Sequence, residues 1–359
     1  GRGGSAATLR DAVVATLREV RGVHALAVVT SHEPSTLVVS TNGPPALVGL
    51  ADGYAVAASD LSPILQHARR VVFLHEGDVA ELTGDRLRVI DASGRDVERA
   101  PRVVDMNPVE AERGGYKHFM AKEIHEQPRT LEEMLLGHLS PDSGTVDLPD
   151  ANLSDDALRR LDGVLVVACG TSWHAGLVAR HLLETLARVP CDVEIASEFR
   201  YRNAVLAPRT LCVALTQSGE TADTIAAMKE AKALGATLLA TCNVLGSLAT
   251  RIADGTLHAR AGIEIGVAST KAFTSQLVAM TLLAMRIGQA RGTLDDARSR
   301  ELAAGLRTLP RLVEQALRAE PRIEELARER EGFGHCGFLG RGPMHAMALE
   351  GALKLKESS

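Results

Sequence analysis

Thr216-Gln217-Ser218-Gly219-Glu220-Thr221 gathers three hydroxyls, an amide and a carboxylate into six consecutive residues. The segment follows the apolar run Leu211-Cys212-Val213-Ala214-Leu215 and precedes a helical pattern carrying Ile225, Met228 and Leu234. A hydroxyl-rich loop between a strand and a helix start joins side-chain donors to the N–H groups of the first helical turn, which suits a phosphate or another anion. An ordinary strand-to-helix turn with Ser218 or Thr221 as N-cap uses the same residues. Two more hydroxyl-bearing segments stand in comparable places: Cys169-Gly170-Thr171-Ser172, and Glu264-Ile265-Gly266-Val267-Ala268-Ser269-Thr270-Lys271 ahead of a long helical pattern. None has P-loop spacing and no Gly-x-Gly-x-x-Gly is present, which disfavours nucleoside triphosphates and dinucleotides.

Glu350, Lys354 and Glu357 lie at four- and three-residue steps, hence on one helix face. Lys354 and Glu357 there suit a base with an electrostatic partner, and the same spacing also describes a solvated salt-bridge ladder. His118, Glu123, His125 and Glu126 match no closed metal-ligand spacing and read as solvated or interface residues. Cys169 has only His174 nearby and reads as a packed thiol at a strand end. Trp173 and His174 open the helix that follows it.

These residues need a scaffold, and the pattern from residue 161 onward supplies one. Short apolar runs at Val164–Ala168, Val193–Ile195, Leu211–Leu215, Thr237–Thr241 and Thr256–Ala259 alternate with helical segments. That alternation predicts a parallel sheet covered on both faces, with ligands bound off the carboxyl ends of its strands. A long helix over about Thr270–Ala290, a helical stretch over Glu301–Arg330, and a strand at Cys336–Gly340 before a last helix complete the prediction. Residues 8–19 read as a short amphipathic helix. Strand-like runs at Ala25–Val29, Thr36–Val39, Leu47–Gly49, Val71–Leu74, Val79–Leu82 and Leu87–Ile90 then point to an α+β segment rich in antiparallel hairpins. Between the two parts, about Pro101–Asp150 carries charge, Gly and Pro with weak periodicity and some helix over Phe119–Leu136, as expected of a connector.

The 359 residues suffice for two domains, and 45% hydrophobic with 24% charged residues is ordinary for a globular protein. A net charge of −5 without a basic stripe argues against nucleic acid. No apolar run reaches the roughly 18 residues of a membrane span, and no signal peptide is visible. The five scattered cysteines read as reduced, packed thiols of a cytoplasmic protein. A start at Gly1-Arg2-Gly3-Gly4-Ser5 without Met, and a stop within the helical pattern ending Lys356-Glu357-Ser358-Ser359, read as a fragment.

Four segments stand in the order seen in one enzyme family. They are Cys169–Ser172, Thr216–Thr221, Glu264–Thr274 and Leu349-Glu350-Gly351-Ala352-Leu353-Lys354-Leu355-Lys356-Glu357. Together with Tyr116–Pro128 and Phe73-Leu74-His75-Glu76-Gly77-Asp78, they make the chain resemble the glutamine–fructose-6-phosphate aminotransferases (isomerizing) over nearly its whole length. The resemblance implies residues 1–104 as the later part of an Ntn-hydrolase glutaminase domain and 105–155 as an interdomain linker. It further implies 156–300 as a first sugar-isomerase (SIS) domain, and 301–359 as connecting helices with the start of a second. It implies fructose 6-phosphate and glutamine as substrates, no metal or other cofactor, and a homodimer.

By the same resemblance, Thr216, Gln217, Ser218 and Thr221 hold the sugar phosphate with Thr171 and Ser172 nearby, and Val267 and Ser269 line the sugar. Glu357 is the base moving a proton between C1 and C2, assisted by Lys354. Thr216 stands where the family often has Ser, and Ser358-Ser359 departs from its usual Ile-Ser. The family's cysteine nucleophile is expected upstream of residue 1, and its ring-opening histidine and imine-forming lysine beyond residue 359. The stretch alone is therefore expected to be inactive, which a glutamine-dependent synthesis assay checks. The competing readings are another SIS sugar-phosphate isomerase or deglycase, and a non-catalytic sugar-phosphate sensor.

Overall fold

The computed structural model describes residues 8–43, 45–59, 61–103 and 113–358. Its contacts divide the chain into two compact units, Gly1–Glu112 and Arg113–Ser359. The start at Gly1–Ser5 and residues 105–112 of the expected linker lie outside the described residues.

The first unit holds α1 (Leu9–Leu17), β1 (His24–Thr30), β2 (Glu33–Asn42), β3 (Leu47–Leu50) and β4 (Ala55–Ala58). It continues with α2 (Leu61–Leu65), β5 (Arg70–Phe73), β6 (Val79–Thr83), β7 (Arg86–Ile90), β8 (Asp96–Val97) and β9 (Arg102–Val103). Its strands form two antiparallel sheets, β1-β2-β6-β7-β8 and β4-β3-β5-β9. Alternation along the strands decides the layers. Val39, Ala80, Leu82 and Val89 of one sheet meet Val48 and Val72 of the other, whereas Val38 and Val79 turn the opposite way, onto Val13 of α1. The six strand-like runs all lie within or across these strands; β8 and β9, at two residues each, are too short for a periodic signal to show.

The second unit opens with α3 (Phe119–Leu135) and α4 (Asp155–Arg159). Then come β10 (Gly163–Ala168), α5 (Gly170–Leu182), β11 (Cys191–Ile195), α6 (Ala196–Phe199), β12 (Thr210–Thr216) and α7 (Ala222–Ala233). β13 (Thr237–Cys242), α8 (Leu248–Ile252), β14 (Gly255–His258), α9 (Lys271–Arg291), α10 (Asp296–Leu317), α11 (Glu320–Glu329) and α12 (Pro343–Ser358) follow. The sheet is wholly parallel in the order β11-β10-β12-β13-β14.

Both sheet faces are covered, as the continuous apolar runs require. Val164, Val166, Leu211, Val213 and Leu239 pack under α3, α5 and α9, while Leu165, Val167, Cys212, Ala214 and Leu238 pack under α6, α7 and α8. The order reverses between β10 and β12: the chain leaves β10 toward β11 and later fills the other side. Such a reversal opens a crevice at the carboxyl ends of the two strands.

Three expectations change. Cys336–Gly340 is not a strand: it pairs with no strand among the described residues, and Leu339 is 98% exposed. An apolar run becomes a strand only where a neighbour completes its hydrogen-bond ladder. The helical stretch after residue 300 begins earlier, at Asp296, because the Asp295 carboxylate accepts from the Arg298 N–H at 2.7 Å as an N-cap, and it breaks into α10 and α11. The thiols are only partly packed: Cys191, Cys212 and Cys242 are buried, Cys169 is half-buried and Cys336 exposed. Burial pushes the Cys191 and Cys212 thiols up to about 12, which keeps them unreactive.

Candidate active site

A cavity of about 260 Å³ lies at the carboxyl ends of β10 and β12. It falls below the ~300–1,000 Å³ usual for drug-sized ligands and is lined largely by polar groups, so it suits a small polar molecule. Cys169, Thr171 and Ser172 reach it from the turn after β10. Thr216, Gln217, Ser218 and Thr221 reach it from the turn after β12, Val267 and Ser269 from the loop before α9, and Lys354 and Glu357 from α12. All ten residues expected to bind or catalyse thus meet around one space, joined by Cys169, Leu215, Thr224, Glu264 and Gly266.

The β12–α7 turn is held from inside. The Gly219 N–H donates to Thr216 Oγ1 at 3.1 Å, and the Glu220 N–H to Ser218 Oγ at 3.2 Å. The carbonyls of Gln217 and Gly219 accept from the Asn243 and Ala249 N–H groups at 3.2 and 2.9 Å. Thr221 is the N-cap residue of α7 by position, yet its side chain makes no capping bond. The first-turn acid Asp223 accepts from Arg200 at 2.7 Å. The positive end of the α7 dipole therefore faces the cavity without a side-chain cap.

Gly219 adopts φ +70°, and an added Cβ would fall on Ser247 Oγ and within 2.7 Å of Cys242 Sγ. Gly219→Ala is expected to destabilise the protein by ~1–3 kcal/mol and to displace the turn. Thermal unfolding and phosphate titration check this, and a variant matching wild type in both would refute it.

The loop before α9 is organised by carboxylates that periodicity does not reveal. Glu264 Oε1 accepts from the Thr270 and Ala272 N–H groups at 2.8 and 3.1 Å, and its Oε2 accepts from Ser269 Oγ at 2.9 Å. The α9 N-terminus is thus already answered by an internal acid. On α3, Glu123 Oε1 accepts from the N–H groups of Ile265 and Gly266 at 2.6 and 3.0 Å. Burial pushes its carboxyl above the usual range, against the opposing pull of those donors. Glu126 pairs at 2.6 Å with the buried Lys271. Of the two readings of Glu123, solvated or interface, the structure shows the second: it is 2% exposed, between α3 and this loop.

On α12 the buried member of the acidic face is Glu350. Its Oε2 lies 2.7 Å from His174 Nδ1, and its Oε1 accepts from Thr171 Oγ1 at 3.0 Å. Lys354 Nζ donates to Thr171 Oγ1 at 3.0 Å and lies 3.3 Å from Glu350 and 3.5 Å from Glu357. Burial alone would raise the Glu350 carboxyl, but the bond to His174, the Lys354 charge and the Thr171 hydroxyl together hold it below the usual range. The ladder and the cavity-facing arrangement prove to be one structure: the ion pairs form, and they form at the cavity wall. Ser172 Oγ accepts from the Gln276 amide at 3.0 Å, which fixes the second hydroxyl of the β10 turn. Among the described residues no cluster of His, Cys, Asp and Glu is arranged to hold a metal ion.

The parallel sheet with hydroxyl-bearing turns at its reversal point lies within residues 157–286, which match the SIS domain family. The C-terminal domain of glucosamine-fructose-6-phosphate aminotransferase from Francisella tularensis superposes with a TM-score of 0.65 at 40% identity, covering 68% of each chain. Glutamine–fructose-6-phosphate aminotransferase (isomerizing) from Symbiobacterium thermophilum is 45% identical over 348 residues, 97% of this chain and 57% of that protein. The same-named protein of Escherichia coli K12 is 42% identical over 354 residues, 98% of this chain and 58% of its own length. The chain belongs to the glutamine–fructose-6-phosphate aminotransferase (isomerizing) family. It spans somewhat over half the length of these curated relatives.

Proposed function

We propose that the chain carries the sugar-phosphate site of an enzyme that turns fructose 6-phosphate and glutamine into glucosamine 6-phosphate and glutamate. The observation that carries this reading is the convergence of ten hydroxyl, amide, apolar and charged side chains on one small cavity at the sheet's reversal point. Thr216, Gln217, Ser218 and Thr221 take the phosphate at the start of α7, where hydroxyls and the helix dipole stabilise a dianion without a cluster of basic side chains. Thr171 and Ser172 stand beside it, and Val267 and Ser269 face the sugar. Glu357 removes the proton from C1 and returns it at C2, a redox-neutral transfer, and the Lys354 ammonium offsets negative charge on the adjacent oxygen.

Residues 1–104 are read as the later part of a glutaminase domain, whose two antiparallel sheets suit that role. Residues 105–155 are the linker, 156–300 the SIS domain, and 301–359 the helices leading toward a second one. Among the described residues no helix is long and apolar enough to cross a membrane. A homodimer in the cytoplasm, with no nucleic-acid or membrane partner, completes the reading.

Calorimetric titration with fructose 6-phosphate tests it. Ser218→Ala and Thr221→Ala are each expected to weaken binding by about tenfold or more, the size of a lost hydrogen bond to a charged group. A wild-type chain that ignores the sugar phosphate, or variants that bind it equally well, would overturn the assignment.

A further inference from the structure

The segment before α9 has no regular secondary structure over residues 259–270, yet it supplies Val267 and Ser269 to the cavity. With no strand or helix partner, its backbone N–H groups withdrawn from water need side-chain acceptors. Glu264 answers the far end, at Ser269, Thr270 and Ala272. The near end, at Ile265 and Gly266, is answered by Glu123, which lies more than 140 residues earlier on α3.

We propose that Glu123 is the positioning residue for the sugar-facing wall of the cavity. This deepens the sugar-phosphate reading above and rests on it. Three observations support it. Glu123 is 2% exposed, and both its oxygens face the segment, Oε1 at 2.6 and 3.0 Å from two N–H groups and Oε2 at 3.2 Å from the second. Gly266 leaves no room for anything else: a Cβ there would fall on Glu123 Oε2 and 3.4 Å from the Met120 backbone. Three residues along the same helix, Glu126 holds Lys271, the first residue of α9 and itself 1% exposed. α3 therefore grips the segment at both ends, and Val267 and Ser269 stand in the span between.

The phosphate turn does not share this support. Its backbone contacts run to Asn243 and Ala249, beside β13 and α8, and none goes to α3. Loss of Glu123 should consequently separate two affinities that a general loss of structure would lower together.

The test is titration of wild type, Glu123→Leu and Glu123→Gln with fructose 6-phosphate and, separately, with inorganic phosphate. Glu123→Leu removes the acceptor and is expected to weaken fructose 6-phosphate binding ~10-fold while leaving inorganic phosphate within about threefold of wild type. Glu123→Gln keeps an acceptor oxygen and is expected to stay within about threefold of wild type for both ligands. Gly266→Ala, which pushes on the same carboxylate from the other side, should match Glu123→Leu if that variant fails to fold.

The proposal is overturned if the disruptive variant binds the sugar phosphate as wild type does. It is equally overturned if both ligands weaken together, or if Glu123→Gln is as damaging as Glu123→Leu. A wild-type chain that binds inorganic phosphate but not fructose 6-phosphate would instead overturn the sugar-phosphate reading, and this proposal with it.

Discussion

Glu357→Gln is expected to lower the rate of glucosamine 6-phosphate formation by about 10²–10⁴-fold, the usual contribution of a positioned base, while fructose 6-phosphate affinity stays within about threefold of wild type. The split follows from where the side chain stands. Glu357 lies in the last turn of α12, at the cavity wall and 3.5 Å from Lys354 Nζ, whereas the hydroxyls proposed to take the phosphate belong to the β12–α7 turn. Glutamine preserves shape and hydrogen bonding but cannot accept a proton from carbon, so only a step that moves such a proton is slowed. The measurement is kcat beside calorimetric affinity in a preparation that performs the synthesis. Unchanged turnover would exclude Glu357 as the base, and a parallel loss of rate and affinity would reduce it to a binding or structural residue.

The parallel sheet and the three turns were legible because both depend on signals local in sequence. Continuous apolar strands such as Val164–Ala168 and Leu211–Leu215 advertise burial on both faces, and hydroxyls at their carboxyl ends advertise a site. What escaped was pairing over distance. Glu123 reads as a charge in a weakly periodic connector, and only the fold brings it 2.6 Å from the Ile265 N–H. His174 reads as part of a helix start, and its partner Glu350 lies 176 residues away. Spacing along α12 could find the Glu350–Lys354–Glu357 face but not which member is buried. The opposite error occurred at Cys336–Gly340, where an apolar run that looks like a strand stays irregular for want of a neighbouring strand to complete its ladder.

The geometry also separates the three helix N-termini that meet at the cavity. Glu264 occupies that of α9, and the Thr171–Glu350–Lys354 group crowds that of α5. Only α7 presents its first turn without a carboxylate of the chain facing it from the cavity side, since Asp223 is engaged by Arg200. On the proposed reading, α7 is the N-terminus left for the phosphate dianion, with the carbon end of the ligand toward Lys354 and Glu357.

That arrangement depends on α12 staying docked, and Glu350→Leu is expected to undock it. Ala346 and Glu350 are the buried side chains of α12, with Met347 half-buried against the core, so the carboxylate is its one buried polar anchor. Removing it leaves His174 and Lys354 without their shared partner, and breaking one side of such a buried pair typically costs about 3–5 kcal/mol. Acid should act in the same direction. The folded-state carboxyl lies below its ordinary value of 4.5, so its stabilisation is fully present above that value and is lost as pH falls through the lower, folded-state one. His174, Lys354 and the Thr171 hydroxyl face this carboxylate, and all three contacts hold it in its charged form. Trp173 is the chain's single tryptophan, its ring centroid 5.4 Å from that of His174 on the helix against which α12 packs. Its emission should therefore shift when wild type is acidified, and should already be shifted at neutral pH in Glu350→Leu, with amide exchange over 343–358 accelerated in parallel. A variant with wild-type emission and unchanged exchange would show that α12 is held by something other than Glu350.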